Sequence, residues 1–137
     1  MPHEYLAVMI GARYFDAAYI KKKDGTVQQQ FADIENASKD CWELKEALEK
    51  YGIKDKGNMQ NIYMLEDPSL QDIKLMKRKL DKRLRLGKLG PVKTRYTIIW
   101  LFAGHGLLAD GGQAIVLNEF DKKKKFYKLF TAEKNIR

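Results

Sequence analysis

Tyr5 to Ile10 is an unbroken apolar run that stops at Gly11, and its length predicts a buried strand rather than a helix. Between Tyr19 and Gln29 the chain turns polar around Asp24-Gly25, a pair that supplies the positive backbone angles of a tight turn, so a small exposed hairpin or loop is expected. From Asn36, which stands where a cap is needed, the period changes. Leu44, Ala47, Leu48 and Tyr51 fall at i, i+3, i+4 and i+7, one face of a helix, with Gly52 as its left-handed stop. Asn61 to Leu65 reads as a second strand. Asp67-Pro68-Ser69 then opens a second helix, with Asp67 as cap and proline at the first helical position. Ile73, Met76, Leu80 and Leu84 form its inward stripe and Gly87 its end.

Arg95 to Ala103 is the most hydrophobic stretch, and its β-branched and aromatic content predicts a central strand running straight into Gly104-His105-Gly106. Gln113 to Phe120 and Phe126 to Phe130 read as two strands, or a strand and a loop, joined by the lysines Lys122 to Lys125. Thr131 to Arg137 reads as the start of a further helix. The order strand, helix, strand, helix, strand implies βαβ units, a largely parallel sheet and right-handed crossovers. Functional groups of such sheets gather at the carboxyl ends of the strands, which is where His105 falls. No repeat or boundary divides residues 1–137, so one α/β domain is expected.

Composition supports a folded domain: 137 residues can bury a real core, and 45% hydrophobic content with three prolines is not that of a disordered chain. The net charge of +8 is largely local. Between Lys74 and Lys93 stand Lys74, Lys77, Arg78, Lys79, Lys82, Arg83, Arg85, Lys88 and Lys93 against the single acid Asp81, most of them on the outer face of the second helix. Such a cluster fits an acidic partner surface. Nucleic acid is disfavoured, because no glycine-rich phosphate loop, recognition helix or stacking motif accompanies the charges. A lone cysteine, Cys41, excludes an internal disulfide and a cysteine-built zinc site, which points to a reducing compartment. The N-terminus shows no signal or transit pattern, and no apolar run approaches the ~20 residues of a membrane span. An intracellular protein, cytoplasmic in the simplest case or organellar after processing, is expected, with no metal or other cofactor.

A histidine between two glycines at the end of a buried strand is well placed for chemistry, since the glycines admit a substrate closely and leave backbone N–H groups uncovered. The surrounding order adds to this. An opening strand ends in glycine (Ala7-Val8-Met9-Ile10-Gly11), an acid (Asp40) begins the first helix, that helix closes as Ala47-Leu48-Glu49-Lys50-Tyr51-Gly52-Ile53, and an apolar strand runs into Ala103-Gly104-His105-Gly106. In this the chain resembles the caspase and metacaspase superfamily from about Tyr5 to Phe130. The resemblance implies a caspase-like sandwich, a mostly parallel central sheet flanked by helices, with the C-terminal part of the fold missing.

It also implies roles. His105 would be the general base of a cysteine–histidine dyad, and the N–H of Gly106 would contribute to the oxyanion hole. Members that cleave after aspartate use a basic residue following the first strand and those that cleave after Arg or Lys use acids, so Arg13 and Asp16 are candidate substrate-binding residues. The reactive cysteine lies about 50 residues beyond the histidine in caspases, near position ~155 here. Cys41, at the start of the first helix, is not where the family's nucleophile sits. Two functions follow as expectations: the large-subunit half of a cysteine endopeptidase, inactive until a second chain or segment brings the cysteine, or a pseudoenzyme serving as a structural subunit of a larger assembly.

Overall fold

The computed structural model describes residues 2–15, 19–109, 112–123 and 126–130. Its centre is β1 (His3–Gly11), whose residues Leu6 to Gly11 are all buried. Alternation divides them between two faces: Leu6, Val8 and Ile10 lie on one, Ala7 and Met9 on the other. A strand covered on both sides has no polar face, which is why the run is continuous. It pairs in parallel with β4 (Ile62–Glu66) and with β5 (Arg95–Ala103), in the order β4-β1-β5. Gly11 is level with both Glu66 and Ala103, so all three strands finish at one edge.

Helix α1 (Ala37–Lys50) covers the odd face, where Cys41, Leu44 and Leu48 meet Ala7, Met9 and Ile62. A side chain on Gly11 would stand 3.1 Å from the carbonyl oxygen of Ala37 and 3.3 Å from Cys41 Sγ, so glycine ends the strand to admit the helix. Asn36 occupies the cap position but makes no side-chain cap bond, and Gly52 follows the helix with φ 86°. Helix α2 (Leu70–Leu89) covers the even face, where Ile73, Met76 and Leu80 pack on Leu6, Val8, Ile10 and Tyr63, with Leu84 half-buried beside them. Full burial of each large aliphatic here contributes roughly 1.5–3 kcal/mol. The result is an α/β fold, a three-stranded parallel sheet between two helices.

Three local expectations change. Asp67 is not the cap of α2: it has φ 49°, its N–H donates to the Gly11 carbonyl at 2.7 Å, and its carboxylate turns to Arg13. Ser69 caps instead, accepting from the Asp72 N–H at 3.1 Å while the Asp72 carboxylate accepts from the Ser69 N–H at 2.9 Å, a reciprocal capping box. Gly87 does not end α2, which runs on to Leu89; a Cβ there would lie 2.0 Å from Tyr96 Oη, so the glycine makes room for the crossing tyrosine. And β5, for all its hydrophobicity, lies at the edge of the sheet among the described residues, with β1 at its centre.

Two smaller units complete the fold. The hairpin of β2 (Tyr19–Lys21) and β3 (Val27–Gln29) turns at Asp24-Gly25, where the Asp24 carboxylate accepts from the N–H and hydroxyl of Thr26. After His105 comes an antiparallel sheet of β6 (Gly106–Ala109), β7 (Gly112–Asp121) and β8 (Phe126–Phe130), of which the sequence foretold the last two. Glu119 on β7 ties it to α2, accepting from the Leu70 N–H at 3.0 Å and from Lys128 Nζ at 2.7 Å. The helix expected over Thr131 to Arg137 lies outside the described residues. No helix among those described is long and apolar enough to cross a membrane.

Candidate active site at the carboxyl edge of the parallel sheet

The common finish of the three strands brings Arg13, Glu66, Asp67 and His105 to one edge. Gly104 makes the last placement possible. A side chain there would meet Ala12 Cβ at 3.2 Å and the Ala12 carbonyl oxygen at 3.3 Å, so only glycine lets the chain pass over the end of β1. His105 then drops between two aromatic rings. Phe15 meets it edge-on at 5.0 Å between centroids, and Phe31 lies tilted at 5.2 Å, with Tyr127 behind both phenylalanines.

The imidazole Nε2 is 2.6 Å from the carbonyl oxygen of Ala32. A carbonyl can only accept, so Nε2 carries the hydrogen, and in the neutral ring Nδ1 holds the lone pair. The loop presenting Ala32 is itself fastened. Asp33 accepts from the Phe15 N–H at 2.7 Å and from Gln29 Nε2 at 2.8 Å, and the Ile34 N–H donates to the Arg13 carbonyl at 2.6 Å. Packing and a fixed tautomer together orient the ring as a proton acceptor through Nδ1.

Gly106 follows at the start of β6, opposite Ile115. The Val116 N–H donates to the His105 carbonyl at 2.9 Å, which makes the Gly106–Ile115 pair a non-hydrogen-bonded one in the antiparallel ladder. The N–H of Gly106 is therefore directed away from β7, and β6 is the edge of its sheet among the described residues. Beside it opens a hollow of about 530 Å³ lined by Phe102, Gly106, Leu108, Gln113 and Phe130 among others. A histidine acceptor thus precedes in the chain an amide that has no partner among the described residues and that lines an apolar hollow.

Arg13 is paired with two acids at this edge. Its Nε donates to Asp67 Oδ2 at 2.8 Å, its Nη2 stands 2.7 Å from the same oxygen and 3.7 Å from Glu66, and its guanidinium lies over the Tyr14 ring. Glu66 in turn accepts from Ser38 Oγ at 2.5 Å and Trp42 Nε1 at 2.8 Å; these hydrogen bonds, with Arg13 nearby, hold its carboxyl below the usual range. The cluster joins the ends of β1 and β4 to the start of α1. Asp16 lies outside the described residues.

Cys41 is fully buried on the inner side of α1. Burial, reinforced by the charges of Asp40 and Glu66, pushes its thiol up to about 11, against the lowering that a helix start would exert. It is a core side chain with no access to a substrate. No group of three or more His, Cys, Asp and Glu able to hold a metal ion occurs among the described residues. Of the site's parts, Ala32, Phe15 and Phe31 were not foreseen from sequence; Phe31, following Gln28-Gln29-Gln30, was the available signal. Comparison with protein-family models, with curated proteins and with solved structures finds no match.

Proposed function

We propose that the chain is the histidine-bearing half of a caspase-like cysteine endopeptidase, its α/β fold being part of a caspase-like sandwich, and that it is inactive without a segment that carries the nucleophile. The observation that carries this reading is the His105–Ala32 hydrogen bond, which leaves Nδ1 as the basic nitrogen at the sheet edge. A thiol brought to that nitrogen gives up its proton to it, and the thiolate adds to the scissile carbonyl. The oxyanion that forms is stabilised by the N–H of Gly106. On collapse, the imidazolium returns its proton to the departing amine, leaving an acyl-enzyme for water to hydrolyse.

The outer edge of β5 supports the need for a further segment. Bonds from the Ala12 N–H to the Ala103 carbonyl and from the Arg95 N–H to the Pro2 carbonyl commit the odd residues of β5 to β1. The N–H and C=O groups of Tyr96, Ile98, Trp100 and Phe102 therefore face outward, with no strand beside them among the described residues. Natural proteins rarely leave so long and apolar an edge bare. A strand seated there would end beside His105.

A second reading, a pseudoenzyme subunit of a larger assembly, is favoured by Cys41, whose burial leaves residues 1–137 without a reactive thiol. The two separate in one experiment on the protein expressed from its longest reading frame or purified with its native companions. Cleavage of a fluorogenic peptide library that falls by about a hundredfold or more in His105→Ala supports the peptidase. Absence of cleavage, together with no labelling by a thiol-directed peptidyl electrophile, rejects it in favour of the scaffold.

A further inference from the structure

At the amino end of the same sheet, far along the strands from His105, a second hollow of about 520 Å³ opens beside α2. Buried Tyr63 and half-buried Tyr96 lie at its base, Leu86 and Val92 stand at its rim, each 61% exposed, and Lys79 and Lys82 flank it. Arg83 reaches in from α2, held by Glu4 and by the Tyr96 hydroxyl at 2.8 Å, with its Nε buried and without an acceptor. The ion pair to Glu4 neutralises the one acid lining the hollow.

The surrounding charge is one-sided, with Asp81 the single acid between Lys74 and Lys93. Lys79 and Lys82 form no ion pair among the described residues, nor do Arg78, Arg85 and Lys88, which extend the positive field along the helix. Asp72 is occupied in the capping box. An apolar hollow flanked by two unpaired lysines is complementary to a ligand with the reverse arrangement.

We propose that this hollow docks a linear acidic segment of a partner protein, which inserts one aromatic or leucine side chain between Leu86 and Val92 and lays carboxylates along Lys79 and Lys82. The shape selects this partner over others of like charge. Leu86 and Val92 protrude as a membrane-binding surface would, but the aromatic surface of Tyr63 and Tyr96 lies below them, where an inserted side chain reaches it and a lipid surface does not. Single-stranded nucleic acid stacks on exposed aromatic faces, whereas Tyr63 is buried and Tyr96 is tied by its hydroxyl to Arg83. At about 520 Å³ the hollow also falls within the roughly 300–1,000 Å³ of pockets that bury a ligand.

The test is selection of a phage-displayed library of random twelve-residue peptides on the immobilised full chain, followed by fluorescence anisotropy with the most enriched peptide. Enriched sequences are expected to place an aromatic or leucine residue among several Asp or Glu. Binding is expected to weaken about tenfold or more in Lys79→Glu/Lys82→Glu and in Leu86→Ser, all solvent-facing changes that leave the melting temperature unchanged. Enrichment without acids, or no enrichment, overturns the proposal. So does binding that survives both variants. Two further arms decide the source of any charge-driven binding: pelleting with phosphatidylserine vesicles, or retention of oligo(dT), that exceeds peptide binding and is lost in the same lysine variant would assign the surface to lipid or nucleic acid instead.

Discussion

Asp67 and Arg13 stand 54 residues apart in the chain and are locked together by three contacts: the Arg13 N–H donates to Asp67 Oδ1 at 2.7 Å, while Nε and Nη2 engage Oδ2 at 2.8 and 2.7 Å. The contact explains why an aspartate tolerates φ 49° directly after β4. Local strain is offset by a bond network that joins the ends of two strands.

Removal of that network should be graded. Asp67→Ala loses every acceptor and leaves a half-buried guanidinium without its main partner, which should cost about 2–3 kcal/mol. Asp67→Asn keeps one carbonyl for the Arg13 N–H and the residue type that best tolerates a positive φ, so its loss should be smaller, about 1 kcal/mol. Urea denaturation of both variants measures the order. Equal losses would mean that the acceptor for the Arg13 N–H and the tolerance of positive φ, which asparagine keeps, contribute nothing.

Gly87→Ala offers a sharper case, because helix propensity alone predicts a gain of up to about 1 kcal/mol at an interior glycine. The opposite is expected here. The new methyl group would meet the Tyr96 ring, with Oη at 2.0 Å and Cζ at 2.6 Å, and that ring is restrained by Arg83. Overpacking should cost about 1–3 kcal/mol. In a Tyr96→Ala background the same change should become neutral or stabilising, and a thermal melt of the four proteins in the cycle separates steric conflict from propensity.

What the sequence could and could not disclose follows from how far each determinant reaches. β1, β4, β5 and α1 were legible, because burial on one or both faces writes itself as a run or a period within a few residues. The cap of α2 was not, since Asp67 is recruited by Arg13 across the fold and leaves the capping to Ser69. Gly87 carries the composition of a stop signal while serving a packing need set by Tyr96. The edge position of β5 is a property of topology, and hydrophobicity alone does not report it. β6 has four residues, too few for a period to register. At the candidate site, His105 was visible from its glycines, whereas the Ala32 carbonyl that fixes its tautomer is a backbone atom with no sequence signature.

Cys41 should behave as a core thiol in both reactivity and stability. Its pKa is raised to about 11, chiefly by burial, while in the unfolded chain a thiol titrates at about 8.5. The folded state therefore holds the proton more tightly. The stabilising effect is complete below about pH 8.5 and is lost as pH rises toward 11. Iodoacetamide at pH 8 should leave the native chain unmodified and alkylate it fully in urea. Cys41→Ala should flatten the alkaline limb of a stability-versus-pH curve; an unchanged limb would assign that loss to other groups.

The tautomer of His105 is the most direct test of the candidate site's internal logic. At pH 8, long-range nitrogen–proton correlation on a 15N-histidine-labelled sample should show the hydrogen of the neutral ring on Nε2, with Nδ1 resonating as a bare, pyridine-type nitrogen. The hydrogen bond to Ala32 demands this arrangement, and the flanking rings of Phe15 and Phe31 keep the imidazole from turning over. Phe31→Ala removes one of those walls, and Asp33→Ala frees the loop that carries Ala32. Either should return the neutral ring toward a mixture of tautomers, while leaving the buried strands of the parallel sheet protected in hydrogen exchange. A ring found with its hydrogen on Nδ1 in the unaltered chain would remove the acceptor on which the proposed proton transfer depends. A ring fixed as described, and loosened by both variants, would mean that the Ala32 carbonyl and the two phenylalanines set which nitrogen is left as acceptor.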